Sequence, residues 1–200
     1  MGPLADHRMP QSDDDTEVAG LLSAASRGDE TAWRELIGRY GRRVFALAKS
    51  RCQRADIAEE VTQSVFATVA TKLGQGGYTE QGRFESWLFR VAMNRIRDEM
   101  RRIKRHAEPT DPASLSILAD PDRGGGAGTS AAALDRLRAA MAQLPDADRD
   151  IVELRHHGGM SFKQMSELLH EPLGTLLARH HRALRKLKQL MGGEEPGGEQ

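Results

Sequence analysis

The chain has 200 residues, with 29 Lys or Arg against 29 Asp or Glu, 38% hydrophobic residues and only 4% aromatics. That length accommodates one or two small domains, and the scarcity of aromatic and β-branched runs excludes a large sheet enzyme. A formal charge of zero, taken as a total, argues against a nucleic-acid binder. Val, Ile, Thr, Tyr, Phe and Trp never alternate through a strand-length run, whereas Ala, Leu, Arg and Glu prevail throughout, so the expected fold class is all-α. No run of ~18 apolar residues exists. The single Cys52 has neither a disulfide partner nor a CxxC companion, which points to a buried helix thiol in a reducing, cytoplasmic setting.

Residues 1–17 are polar and Asp-rich and read as a disordered acidic tail. Val18, Leu21 and Leu22, then Trp33, Leu36, Ile37, Tyr40, Val44, Leu47 and Ala48, follow a helical rhythm broken at Arg27-Gly28-Asp29, which gives two helices up to about Arg54. A third helix is expected from Asp56 to Leu73, ended by the GQGG cluster, with Ile57, Val61, Val65 and Val69 inward. A fourth begins near Arg83 and runs through Arg102. Between 106 and 130 the chain loses periodicity and gathers Pro, Gly, Ser and Asp, the composition of a flexible linker. Leu134, Leu137, Met141 and Leu144 mark a fifth helix, and Pro145 is expected as the first residue of a sixth that reaches His156. Ser161 and Gln164 form a capping-box pattern at the start of a short helix ending at Leu169. After His170-Glu171-Pro172 a last helix runs to Met191, and 192–200 read as a second disordered tail. Two small helical domains, 18–105 and 131–191, are therefore expected on either side of a flexible linker.

Divided along the chain, the zero total separates into opposed blocks. Residues 1–30 hold seven acids against two bases, whereas 83–105 hold eight bases against three acids and 131–191 hold ten against seven. Along the fourth helix Phe84, Leu88, Val91 and Ala92 make an apolar stripe, and Arg83, Arg90, Asn94, Arg97 and Arg101 lie about 100° away with Trp87 at the boundary. A basic row beside an indole suits single-stranded nucleic acid, where cations follow phosphates and an aromatic plane meets an unpaired base; Trp87 equally suits a core position. The last two helices, joined by a short turn and ending in Arg179, Arg182, Arg185, Lys186 and Lys188, have the layout of a helix-turn-helix. On the third helix Asp56, Glu59, Glu60 and Gln63 share the polar side, either as complements to the helix dipole or as a protein-docking surface.

Catalysis finds no footing. The sequence has no Walker-type loop, no HExxH, no GxSxG and no paired carboxylates with a base, so neither enzyme activity nor a cofactor is expected. His156-His157 and His180-His181 are adjacent on helices and point apart, without Cys or carboxylate companions, so no metal site is expected either.

Together these motifs resemble a bacterial sigma factor of the extracytoplasmic-function (group IV) class of the sigma-70 family. DIAEEVTQSVF (Asp56 to Phe66) is similar to that family's region 2.1–2.2, and RFESWLFRVAMNRIRDEMRR (Arg83 to Arg102) resembles its regions 2.3–2.4. LPDADRDIVELRHHGGMSFKQMSELL with EPLGTLLARHHRALRKL resembles region 4. The resemblance covers about 18–105 and 131–191. It implies that core RNA polymerase docks on Asp56, Glu59, Glu60 and Gln63, and that the unpaired −10 strand of promoter DNA is captured by Tyr78, Arg83, Trp87, Arg90, Asn94, Arg97 and Arg101. It also implies that the last helix enters the −35 major groove through Thr175, Arg179, His181, Arg182 and Arg185, and that an anti-sigma factor is a possible partner.

The sequence departs from the family at the start of the recognition helix. Leu177 and Ala178 stand where the family carries lysine and serine, and neither side chain hydrogen-bonds a base edge. His170 replaces the usual turn glycine and is expected either to accept a left-handed backbone or to reshape the turn. Two other functions remain as alternatives: a stand-alone helix-turn-helix regulator, and a polymerase-binding protein with degenerate DNA reading. With its modest local charge, the chain is expected to bind DNA poorly alone and usefully only on the polymerase.

Overall fold

In the computed structural model, residues 11–79, 83–107 and 131–192 are described. They form eight helices and no strand: α1 (Gln11–Ser26), α2 (Glu30–Cys52), α3 (Ala55–Gly74), α4 (Phe84–Ala107), α5 (Ala131–Ala142), α6 (Asp146–His156), α7 (Phe162–Leu169) and α8 (Leu173–Leu190). The all-α expectation holds. The sequence placed every helix after the first within a few residues, because each carries an apolar stripe of helical period.

The N-terminal expectation needs correction. Residues 1–10 lie outside the described ones, but α1 begins at Gln11, inside the stretch expected to be a disordered tail. Arg39 on α2 explains this, holding Asp14 at 2.9 Å and Glu17 at 2.8 Å. Acids in the first turns of a helix also meet the positive end of its dipole, while Val18, Leu22 and Ala25 anchor the other face in the core. Gly28, with φ of 90°, turns the chain, and the Asp29 carboxylate accepts from the Thr31 and Ala32 amides to cap α2.

Leu36, Tyr40, Val44, Leu47 and Ala48 of α2 pack on Ile57, Ala58, Val61, Val65, Phe66 and Val69 of α3 and on Phe84, Leu88, Phe89, Ala92, Met93 and Ile96 of α4. The buried side of α4 is thus broader than the expected stripe, and Val91 lies half-buried at its margin. Cys52 closes α2 within this core, and burial pushes its thiol up to about 11.

The expected linker began at 106, yet α4 continues to Ala107; the remaining 108–130 lie outside the described residues, as do 193–200 of the expected C-terminal tail. Pro145 caps α6 from just outside it, so the expectation that it begins the helix is off by one position. The capping box is present at α7: the Ser161 hydroxyl accepts from the Gln164 amide, and the Gln164 side chain accepts from the Ser161 amide at 2.8 Å. His170 adopts the left-handed conformation, φ 56° and ψ 36°, so the turn keeps its shape despite lacking glycine.

The two helical groups touch. Ile151, Leu154, Met160, Met165, Leu168 and Leu176 are buried in one continuous apolar cluster with α1–α4, while Ala140, Leu144, Val152, Ala183 and Leu187 form a smaller cluster among α5, α6 and α8.

Candidate nucleic-acid interface

Trp87 lies at the margin of the core. It is half-buried, with its ring 4.5 Å from Tyr78 and 5.9 Å from Phe84, and Phe84 in turn meets Tyr40 edge-on at 5.5 Å. The indole therefore stands on a layered aromatic base and still reaches solvent in part.

Arg90, Asn94, Arg97 and Arg101 are exposed along one side of α4, and Arg83, immediately before it, is exposed as well. The structure assigns several of them partners that sequence alone did not foresee. Arg90 donates from Nη2 to the carbonyls of Glu167 (3.1 Å) and Leu168 (3.3 Å), at the C-terminal end of α7, where orphan carbonyls and the negative dipole end attract a cation. Arg97 reaches Asp150 of α6 at 2.7 Å. Arg101 pairs with Asp98, and Arg95 donates to the Thr68 hydroxyl at 3.2 Å.

Around Arg97 a charged layer joins α2, α4 and α6. Arg51 pairs with both Asp150 and Glu153, and Arg149 holds Glu153 at 2.9 Å while donating to the Ser50 carbonyl at 3.3 Å. Glu153 is 1% exposed and Asp150 7%. Burying charge so deeply is costly unless cations and donors compensate it, as these arginines do. None of Arg51, Asp150 and Glu153 was singled out by sequence. The one available signal is that Asp150 and Glu153 sit within the apolar run Ile151-Val152-Leu154, where a solvent-facing acid is not expected.

On α3, Asp56, Glu59, Glu60 and Gln63 are all exposed and fall on one face. The Arg54 guanidinium hydrogen-bonds the Asp56 carboxylate and holds it below the usual carboxylate range, with the Ile57 amide adding to the effect.

At α8, Thr175, His181, Arg182 and Arg185 are exposed, whereas Arg179 is half-buried and held by Glu171 at 2.8 Å. Leu173, Leu177 and Leu184 add exposed apolar surface, each at least 40% accessible. His181 and Arg185 approach to 3.5 Å. His180 turns the other way, stacking on His156 at 5.6 Å and meeting Phe162 edge-on at 5.3 Å. Burial, and then neighbouring positive charge, lowers the pKa of both histidines. Among the described residues, no cluster of His, Cys, Asp and Glu is arranged to hold a metal ion, and no helix is long and apolar enough to cross a membrane.

Residues 36–106 match the sigma-70 region 2 family and residues 134–187 match sigma-70 region 4. The chain is 30% identical over 188 residues to the ECF RNA polymerase sigma factor RpoE of Cereibacter sphaeroides, covering 92% of this chain and 99% of that one. It is 29% identical over 174 residues to the ECF sigma factor SigM of Mycobacterium tuberculosis, covering 87% and 84%. Its fold is similar to that of CnrH in complex with the cytosolic domain of CnrY, at a TM-score of 0.64 and 22% identity over 88% of this chain and 97% of that one. It is also similar to RpoE of Bartonella quintana in complex with the anti-sigma factor NepR, at a TM-score of 0.57 and 20% identity over 92% and 99%. With both regions matched in order and nearly the whole length shared with RpoE of Cereibacter sphaeroides, the chain belongs to the extracytoplasmic-function sigma factors of the sigma-70 family.

Proposed function

We propose that this protein is a cytoplasmic, non-enzymatic specificity subunit that binds core RNA polymerase, brings it to a promoter and helps to open the DNA. In this reading the helices of 18–105 hold the polymerase through Asp56, Glu59, Glu60 and Gln63 and capture the unpaired −10 strand along α4. The helices of 131–191 carry α8 into the −35 major groove. The observation that carries the reading is the Tyr78–Trp87–Phe84 aromatic layer bordering the arginine row of α4, since stacking and phosphate attraction together recognise an unpaired strand. Core polymerase supplemented with the protein is expected to give run-off transcripts from a promoter that core alone ignores. A pull-down showing no core binding, combined with absent transcripts across the host's stress promoters, overturns the proposal. An anti-sigma factor fits as a regulatory partner, given that one structural relative is bound to NepR and the other to the cytosolic domain of CnrY.

A second reading, a polymerase-bound protein that no longer reads −35 duplex, is favoured by the exposed Leu173 and Leu177 on the leading turns of α8. Leucine offers a base edge no hydrogen bond. Leu177→Lys separates the two: a gain in initiation confined to promoters with an intact −35 element favours a reader with weakened contacts, and no change favours the second reading.

A further inference from the structure

We propose that Arg51 and Arg97 form a phosphate-binding subsite for promoter DNA, and that the Asp150 carboxylate occupies this subsite in place of a phosphodiester while the two helical groups are closed on each other. This rests on the promoter-binding function proposed above and adds to it a residue, Arg51, on a helix that lies outside the α4 row.

Three observations converge on it. The two oxygens of Asp150 are divided between guanidiniums from different helices: Oδ1 pairs with Arg51 of α2 and Oδ2 with Arg97 of α4, the latter at 2.7 Å. Planar guanidinium donors match carboxylate and phosphate oxygens alike, so two forks aimed at one carboxylate are already aimed for a phosphate. Secondly, the acids of this layer all belong to the departing side. Asp146, Asp150 and Glu153 lie on α6, so its removal takes the counter-charges of Arg51 with it. Thirdly, α7 covers the same face a short way along, with Arg90 held by the Glu167 and Leu168 carbonyls and the Ser86 hydroxyl donating to the Gln164 carbonyl at 3.3 Å. Closure and strand binding thus draw on the same side of α4, and each excludes the other.

The closed contact is suited to release. A buried ion pair returns little net stability, because desolvation of both charges offsets their attraction. The opening exposes Arg51 and Arg97 together, and a polyanion then replaces the carboxylates. Affinity of the isolated chain for DNA is reduced by the fraction of molecules that are open.

Two measurements test the proposal. In the isolated full chain, Asp150→Asn weakens closure, and binding of a fluorescent single-stranded oligonucleotide carrying the −10 sequence is expected to tighten by about tenfold as the open fraction grows; unchanged affinity overturns the competition. In reconstituted holoenzyme, where the proposed function sets the helical groups on separate −10 and −35 elements, Arg51→Gln is expected to weaken promoter binding and to reduce the magnitude of the salt slope by about 0.7–0.9, the value of one phosphate contact. Wild-type affinity and slope in that variant overturn the subsite and leave Arg51 as a closure residue only. Should Arg51→Gln fail to assemble with core, Arg51→Lys decides: a slope kept with affinity lowered by about threefold supports a forked phosphate contact, and wild-type affinity overturns it. Wild-type holoenzyme with no promoter preference over core alone refutes the underlying function instead, a result distinct from any of these.

Discussion

The Arg43 guanidinium on α2 donates from Nε to the main-chain carbonyl of Gly158, 2.7 Å away across the boundary between the two helical groups. The same side chain pairs with Glu85 and lies over the Phe89 ring at 5.0 Å, so one residue joins α2, α4 and the turn after α6. Arg43→Ala leaves that carbonyl without its donor and removes the cation from the Phe89 face. Small-angle X-ray scattering of the isolated variant is expected to show a larger radius of gyration than wild type at an unchanged helical circular-dichroism signal. Equal radii would show that Arg43 does not hold the groups together.

Gly158 allows this turn for a steric reason. A Cβ there would stand 2.6 Å from the Leu154 carbonyl oxygen and 3.2 Å from its Cα, within the backbone of α6 itself. Gly158→Ala is expected to lower stability by about 1–3 kcal/mol, the usual cost of overpacking, read as a reduced midpoint in urea denaturation with the m-value unchanged.

The stacked His156 and His180 are expected to make the 131–191 helices acid-sensitive. Burial lowers both pKa values below the ordinary 6.5, so the folded state favours neutral rings and the unfolded chain binds protons more readily. Their contribution is complete above pH 6.5 and is lost as pH falls from there through the lowered folded values. Thermal melts at pH 7.5 and 5.5 are expected to differ in wild type and to differ less in His180→Phe, which keeps an aromatic ring beside Phe162 without a titrating nitrogen. An equal pH response in the variant would remove His180 from this role.

Truncating Trp87 tests the aromatic layer apart from the charges. Trp87→Ala is expected to cost roughly 1–3 kcal/mol of base stacking, appearing as about tenfold or greater loss of open complex in permanganate footprinting of holoenzyme. The core binding proposed for the Asp56, Glu59, Glu60 and Gln63 face of α3 is expected to remain. Because Tyr78 and Phe84 pack on the indole, Trp87→Phe serves as the partner variant and is expected to recover part of the loss.

The helices and the capping box at Ser161 were readable because each is a local matter of period or cap, whereas at His170 the sequence left a left-handed residue and a reshaped turn both open and the structure chose the first. The start of α1 was not, since its acidic sequence alone favours a solvated tail and its order depends on Arg39, more than twenty residues away. The contact between the helical groups was still less accessible. Arg51 and Asp150 are 99 positions apart, and each by itself reads as an ordinary charged helix residue; only the fold brings them face to face and buries them. The α4 row shows the same division. Its exposure followed from helical spacing, but the capture of Arg90 by the end of α7 and of Arg97 by α6 did not.

Cys52, the one thiol in the sequence, lies 8% exposed at the end of α2, and its pKa near 11 leaves almost no thiolate at neutral pH. Peroxide and alkylating reagents are therefore expected to react slowly with the folded protein. Its modification rate becomes a clock for the global opening of the N-terminal core, because the sulfur reacts only when α2 and its packing partners come apart.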